Sequence, residues 1–191
     1  KDYLESINKM YVIACGTAMH AGLVSKNLFE KLCKIPVEVD IASEFRYRDP
    51  LVDDKTLVIY ISQSGETADT IAALKLAKSK GAKTLAISNV IGSSITREAD
   101  YSIYTHAGPE IAVASTKAYT SQVTMLTLIA LYFAEILGRT DTNKIDTIKE
   151  DLLKLPSKAE ELLKDTFKIT ITSWRDIKRL RRNKTICKKS L

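Results

Sequence analysis

The chain has 191 residues, of which 45% are hydrophobic and 27% are charged, a balance typical of a folded globular protein rather than a disordered one. Its net charge of +6 comes from residues 165–191, where nine lysines and arginines stand against two acidic residues. The first 164 residues hold 20 of the 29 basic residues and 21 of the 23 acidic ones. Composition therefore gives no reason to expect that the body of the protein binds nucleic acid or another polyanion.

The predicted secondary structure alternates between strands and helices. Short apolar or β-branched runs predict strands at residues 11–14, 37–41, 56–61, 84–88 and 101–104. Amphipathic stretches predict helices at residues 17–32, 66–80, 93–99 and 117–137, and one or two charged helices at residues 141–164 with a break near Pro156. This alternation predicts an α/β fold in which helices cover a parallel sheet. Ligands of such sheets bind at the carboxyl ends of the strands, so the turns after strands are the candidate sites.

Membrane, secreted and metal-binding classes find no support in the sequence. The longest apolar stretch, residues 123–137, is interrupted by Thr124, Thr127 and Glu135 and predicts a buried helix, and the first apolar segment is too short for a signal peptide. Three cysteines and two histidines show neither the pattern of a disulfide framework nor the spacing of metal ligands. We therefore expect a cytoplasmic protein with no membrane partner, no metal and no organic cofactor.

The turn after the third predicted strand is the strongest candidate for a binding site. It places Ser62, Gln63, Ser64 and Thr67 within six residues, directly after an apolar strand and at the start of a helix. Hydroxyl groups, a side-chain amide and free backbone N–H groups at the positive end of a helix dipole suit a phosphate monoester. An ordinary serine or threonine helix cap is the alternative interpretation. The density of hydroxyl groups favours the anion site.

Other polar residues carry weaker signals. Thr17 follows the first strand, where it can either cap the next helix or contact a ligand, and either Ser115 or Thr116 is the candidate N-cap of the long apolar helix. Cys15 at a strand end is expected to be a packed small residue rather than a nucleophile, because no histidine or lysine stands beside it in the sequence. Glu110 is expected to be solvated or in an ordinary salt bridge, and His20 to lie on a helix surface. These residues alone predict no more than an α/β domain with a phosphate pocket.

Four segments resemble the glucosamine-6-phosphate synthase family, the isomerising glutamine–fructose-6-phosphate aminotransferases. They are residues 12–17 (VIACGT), 41–48 (IASEFRYR), 62–70 (SQSGETADT) and 110–118 (EIAVASTKA). The resemblance runs in the family's order and spacing from about Tyr3 to Lys164, and it covers the first of two sugar isomerase (SIS) subdomains. It implies an α/β fold, a three-layer αβα sandwich with a five-stranded parallel sheet of flavodoxin-like type, over residues 1–164.

The resemblance also implies a ligand and its binding residues. The ligand is a hexose 6-phosphate, either fructose 6-phosphate or glucosamine 6-phosphate. The family's phosphate-binding residues match Ser62, Gln63, Ser64 and Thr67, and its sugar-contacting residues match Thr17, Val113 and Ser115. A serine common among relatives is replaced by Ala18. No catalytic residue carries over, because the glutaminase domain and the second SIS subdomain with its glutamate base are absent, so the fragment is expected to be inactive alone. A homodimer is expected because the exposed side of the long helix at residues 117–137 is too apolar to face water, and because SIS subdomains of the family pair within and between chains.

Residues 165–191 form a basic tail that no longer resembles the family. We expect it to reflect a truncation with an altered reading frame, with a nucleic-acid-binding arm as the weaker alternative. Two other functions stay open for the whole chain. One is a stand-alone SIS sensor, in which sugar-phosphate binding changes association with a partner. The other is a small oligomeric phosphosugar isomerase, which would need a catalytic group such as His20 from a neighbouring copy.

Overall fold

The computed structural model describes residues 1–110 and 115–183, with side chains as far as residue 164. In chain order the elements are α1 (Asp2–Ser6), β1 (Lys9–Ala14), α2 (Thr17–Cys33), β2 (Val37–Ile41), α3 (Ala42–Tyr47), β3 (Thr56–Ser62), α4 (Ala68–Ser79), β4 (Lys83–Ser88), α5 (Ser94–Glu98), β5 (Tyr101–Tyr104), α6 (Lys117–Leu137) and α7 (Thr142–Asn183). The chain divides into two compact units, Lys1–Thr142 and Asn143–Leu191. The predicted domain limit at residue 164 stays a prediction.

A five-stranded parallel sheet in the order β2-β1-β3-β4-β5 forms the centre of the first unit, which confirms the predicted fold class. All seven residues of β3 are buried, as are the last five of β1, because central strands of a parallel sheet have helices on both faces. The strand order reverses between β1 and β3, where Ala14 lies beside Ile61 in the ladder. In folds of this kind that switch point is where ligands bind.

Helices cover both faces of the sheet. On one face, Tyr11, Ile13 and Tyr60 pack with buried residues of α3, α4 and α5, including Phe45 and Leu74. The opposite face carries α2 and α6, whose Phe29 and Phe133 rings lie 6.3 Å apart between centroids. In α2, Gly22 lies so close to β1 that a Cβ atom there would be 2.8 Å from Val12 Cγ1. The first unit therefore has three layers: a central sheet and a layer of helices packed on each of its faces.

Helix α6 is more apolar than the sequence analysis allowed. By length and composition alone, this helix of the described chain could cross a membrane, because its most apolar 18 residues have a mean hydropathy of 1.4. Eight of its 21 residues are nevertheless buried within the protein, among them Leu126, Ala130 and Ala134. The Cys33 thiol donates to the Ala130 carbonyl at 3.5 Å, which ties α6 to the end of α2. This is the packed helix that the sequence predicted.

Two elements differ from the prediction. The short helices α1 and α3 were not predicted, because five or six residues carry too little periodicity to separate a helix from a turn. Helix α7 runs through Pro156 without the predicted break. Proline removes a backbone N–H and usually ends or kinks a helix, so the break was the expected result. Helix α7 nonetheless continues to Asn183, past residue 165, where the predicted tail begins.

Candidate functional site

The turn after β3 is held in shape by its own hydroxyl groups. Ser62 Oγ accepts a hydrogen bond from the Gly65 N–H at 3.0 Å and lies 3.3 Å from Thr67 Oγ1. Ser64 Oγ accepts from the Glu66 N–H at 3.3 Å. These local bonds fold residues 62–67 into a compact loop, so the three hydroxyl groups stay close together at the strand end.

The same turn is fastened to its neighbour, the turn between β4 and α5. The Gln63 carbonyl accepts from the Asn89 N–H at 3.1 Å, and the Gly65 carbonyl accepts from the Ile95 N–H at 3.0 Å. The Glu66 carboxylate accepts from the Ser94 N–H at 2.8 Å, and the hydrogen bonding from Ser94 lowers the pKa of Glu66. The turn between β4 and α5 therefore fixes the position of the turn at residues 62–67, the candidate phosphate site.

Gly65 is required where these two turns meet. Its φ is +70°, which favours glycine, and a Cβ atom there would lie 2.1 Å from Ser93 Oγ and 2.9 Å from Ser88 Oγ. No side chain fits between these atoms without displacing one of the loops. The glycine therefore serves the close approach of the two turns.

The start of α4 has no side-chain cap. Thr67 is the N-cap residue, yet it makes no side-chain capping bond to the helix, and its hydroxyl lies against Ser62 instead. The first N–H groups of a helix have no partner within the helix, and they attract anions together with the helix dipole. Helix α2 likewise begins without a side-chain cap, at Gly16, whose φ is +59°. The ordinary capping interpretation of this turn therefore does not describe the structure.

A cavity of about 220 Å³ lies at these strand ends. Its lining residues come from the turns after β1 and β3 and from the beginning of α6, and they are Cys15, Thr17, Ala18, Ile61, Ser62, Gln63, Ser64, Thr67, Ser115 and Gln122. The structure thus brings together six of the seven predicted binding residues. The seventh, Val113, lies outside the described residues.

Gln122 is a lining residue that the sequence analysis missed. It is only 3% exposed, and its Oε1 atom has no hydrogen-bond partner among the described residues. The buried Oγ atom of Ser115, which lines the same cavity, likewise has no partner in the described part of the chain. Gln122 is one of several polar residues in α6, so the sequence alone does not single it out, and only the folded chain places it beside the turn after β3.

None of the described residues that line the cavity carries a carboxylate or an imidazole, the side chains that most often serve acid–base catalysis. The Glu110 carboxylate accepts from the Ala118 N–H at 3.1 Å and so serves the start of α6, and His20 is exposed on α2. Among the described residues, no three His, Cys, Asp or Glu side chains are grouped so that they could hold a metal ion. The arrangement can bind and orient a ligand.

A larger depression of about 470 Å³ lies elsewhere in the first unit. It is lined mainly by apolar side chains of α1, β5 and α6, such as Leu4, Ile103 and Phe133, and by Leu57 near the start of β3. Size alone would favour it as a ligand site. We assign the ligand to the smaller cavity, because that one lies at the carboxyl ends of the strands and carries the convergent polar groups.

Comparison with known proteins supports the family resemblance. The sequence profile of the SIS domain matches residues 3–132. The chain is 60% identical over 163 residues to the isomerizing glutamine–fructose-6-phosphate aminotransferase of Clostridium tetani, and 57% identical over 166 residues to that of Clostridium perfringens. These matches cover 85% and 87% of this chain. The chain spans only 27% of the length of either relative.

A solved structure gives the same result. The C-terminal domain of glucosamine-fructose-6-phosphate aminotransferase from Francisella tularensis superimposes with a TM-score of 0.78 at 40% sequence identity. The alignment covers 82% of this chain and 44% of that one. The resemblance inferred from the four segments is confirmed, and this chain belongs to the SIS domain family.

Proposed function

We propose that this chain binds a hexose 6-phosphate, fructose 6-phosphate or glucosamine 6-phosphate, in the cavity between the turns after β1 and β3. The observation that carries the proposal is the uncapped start of α4 beside three hydroxyl groups, those of Ser62, Ser64 and Thr67. A phosphate dianion accepts hydrogen bonds only, and this wall of the cavity offers O–H and N–H donors. The relatives are named for fructose 6-phosphate, which agrees with this chemistry.

The electrostatics of the cavity favour an anion without a cationic side chain. Neither lysine nor arginine is among the described residues that line it. The attraction comes from the first N–H groups and the dipole of α4, a 12-residue helix. Neutral donors of this kind hold a phosphate in place while the remainder of the ligand reaches toward Thr17 and Ser115.

In the proposed role this chain is the sugar-phosphate-binding part of a glucosamine-6-phosphate synthase and does not isomerise the sugar alone. Aldose–ketose isomerisation needs a general acid or base within hydrogen-bond reach of the substrate carbons. The described cavity supplies hydroxyl, thiol and amide groups only. We propose that the catalytic groups belong to the parts of the relatives, nearly three quarters of their length, that this chain does not span.

We also propose that the chain forms a homodimer in the cytoplasm and needs no metal or organic cofactor. The dimer is supported by large apolar side chains on the outside of α6, where Leu128 is 46% exposed and Tyr132 is 60% exposed. The cytoplasmic location is supported by the relatives, which are enzymes of sugar-phosphate metabolism by name.

Calorimetric titration of the whole chain tests the proposed ligand. Fructose 6-phosphate and glucosamine 6-phosphate are expected to bind saturably, and fructose is expected not to bind. The double variant Ser64→Ala with Thr67→Ala removes two hydroxyl donors to a charged group, and each costs about 1.5 kcal/mol or more. We expect affinity to fall about 100-fold.

The matched control removes the same two hydroxyl types away from the cavity. Ser79 lies at the far end of α4 and Thr124 is exposed on α6, and both donate to backbone carbonyls of their own helix. The variant Ser79→Ala with Thr124→Ala should bind as the wild type does. Absence of saturable binding at millimolar ligand, or equal binding of fructose, would overturn the proposal.

A further inference from the structure

We propose that Gln122 contacts the hydroxylated end of the ligand and makes the cavity selective for a phosphorylated sugar over a simple phosphate ester. The inference rests on the proposed function, because it assigns a role within the same cavity. It concerns a residue of α6 that the four recognisable segments do not contain.

Gln122 occupies a position that stability alone would give to an apolar residue. Ala118, Gln122 and Leu126 follow one another at intervals of four along α6, and all three are buried. A buried amide oxygen without a partner costs free energy, whereas an apolar side chain of similar volume at the same position costs little. The unpartnered Oε1 atom on the buried side of α6 therefore indicates a hydrogen-bond donor that arrives with a ligand.

The two walls of the cavity have different polarity. The wall formed by residues 62–67 presents hydroxyl groups beside the start of α4, which is the donor side. The opposite wall contributes Ser115 Oγ, from the segment just before α6, and Gln122 Oε1, from α6 itself; these are the two buried side-chain oxygens without a partner among the described residues. A ligand is thus oriented, with its anionic group toward the turn after β3 and its remaining part toward α6.

The chemistry of the carboxamide selects what lies against it. A phosphate dianion has no proton to give, so it leaves Gln122 Oε1 unsatisfied. A hydroxyl group both donates and accepts, and it therefore satisfies either end of the carboxamide. A hydroxylated ligand gains this bond and an alkyl phosphate does not, because an apolar group would leave Gln122 Oε1 without a donor. The expected ligand class is a phosphorylated polyhydroxy compound.

The test compares two ligands on three proteins by heteronuclear NMR titration of the whole chain. The ligands are fructose 6-phosphate and ethyl phosphate, which shares the phosphate ester but has no hydroxyl group. Gln122→Met and Gln122→Leu replace the amide with apolar groups of similar volume, and testing both separates loss of the amide from a packing effect of one side chain. We expect each variant to bind fructose 6-phosphate about tenfold more weakly than the wild type does and ethyl phosphate within about twofold.

The control is Thr127→Val, which removes a polar group from the same helix. The Thr127 hydroxyl donates to the Val123 carbonyl, and Thr127 does not line the cavity. It should leave both affinities unchanged. If the wild type binds fructose 6-phosphate and both Gln122 variants bind it equally well, or if both ligands weaken together, this inference is overturned while the proposed function stands. If the wild type does not bind fructose 6-phosphate, both are overturned.

Discussion

Replacing Gly65 with alanine should destabilise the protein more than the same replacement at any other described glycine with a positive φ. The φ of +70° costs a non-glycine residue about 1–2 kcal/mol. The added Cβ would also lie 2.1 Å from Ser93 Oγ and 2.5 Å from Ser93 Cβ, and forcing such overpacking apart costs about 1–3 kcal/mol. The sum is about 2–5 kcal/mol, a large part of the roughly 5–15 kcal/mol that stabilises an ordinary domain.

Gly92 provides a control that separates the two costs. Its φ is +69°, but no atom lies within 4 Å of the position a Cβ would take. Gly92→Ala should therefore cost only the backbone term of about 1–2 kcal/mol. Urea unfolding followed by circular dichroism measures both variants, and the difference of about 1–3 kcal/mol reports the crowding between the two turns.

Ser93→Gly in the Gly65→Ala background tests the cause directly. It removes both Ser93 atoms that the new methyl group would meet, so the double variant should recover part of the lost stability, measured as a coupling in a double-mutant cycle. Equal stability of Gly65→Ala and Gly92→Ala would refute the reasoning, because it would mean that the two turns separate without cost.

Two further predictions concern groups away from the cavity. Tyr60→Phe removes a buried hydroxyl that donates to the Ala73 carbonyl at 2.9 Å, so urea unfolding should show that the free energy of unfolding falls by about 1 kcal/mol. Tyr47 is 79% exposed, and Tyr47→Phe should change it much less. Burial raises the pKa of Asp100, but two hydrogen bonds from Thr84 and the positive charges of nearby lysines together lower it by more, so the net shift of the pKa is downward. The stabilisation that the Asp100 carboxylate gives to the folded state is therefore present above the pKa of this group in the unfolded chain, and it is lost as the pH falls through the lower pKa of the folded state. Asp100→Asn should be less stable than the wild type at about pH 7, with the difference shrinking toward about pH 3; a difference constant with pH would contradict this.

The sheet was predictable because its central strands carry their own signal. Residues 56–61 form a continuous apolar run, and the structure buries the whole of β3 from Thr56–Ser62. Gly138 ends α6 in the left-handed conformation, as its position after the apolar helix predicted. The short α3 was missed because Ala42 and Phe45 are its only buried residues, too few to define a helical face. Helix α7 continues through Pro156 although proline removes a backbone N–H group, and the sequence around Pro156 gave no sign of this.

The candidate site divides into a local part and a non-local part, and only the local part could be predicted from residues alone. The turn at residues 62–67 carries its hydroxyl groups, its glycine and its helix start within six positions, so its chemistry is visible in the sequence. Thr17 joins it because β1 and β3 are neighbours in the sheet, with Ala14 beside Ile61. Gln122 joins it only through the packing of α6 on the sheet, more than 50 residues farther along the chain. Selectivity for the sugar, in our proposal, therefore depends on tertiary structure, whereas affinity for the phosphate depends on a single strand-to-helix turn.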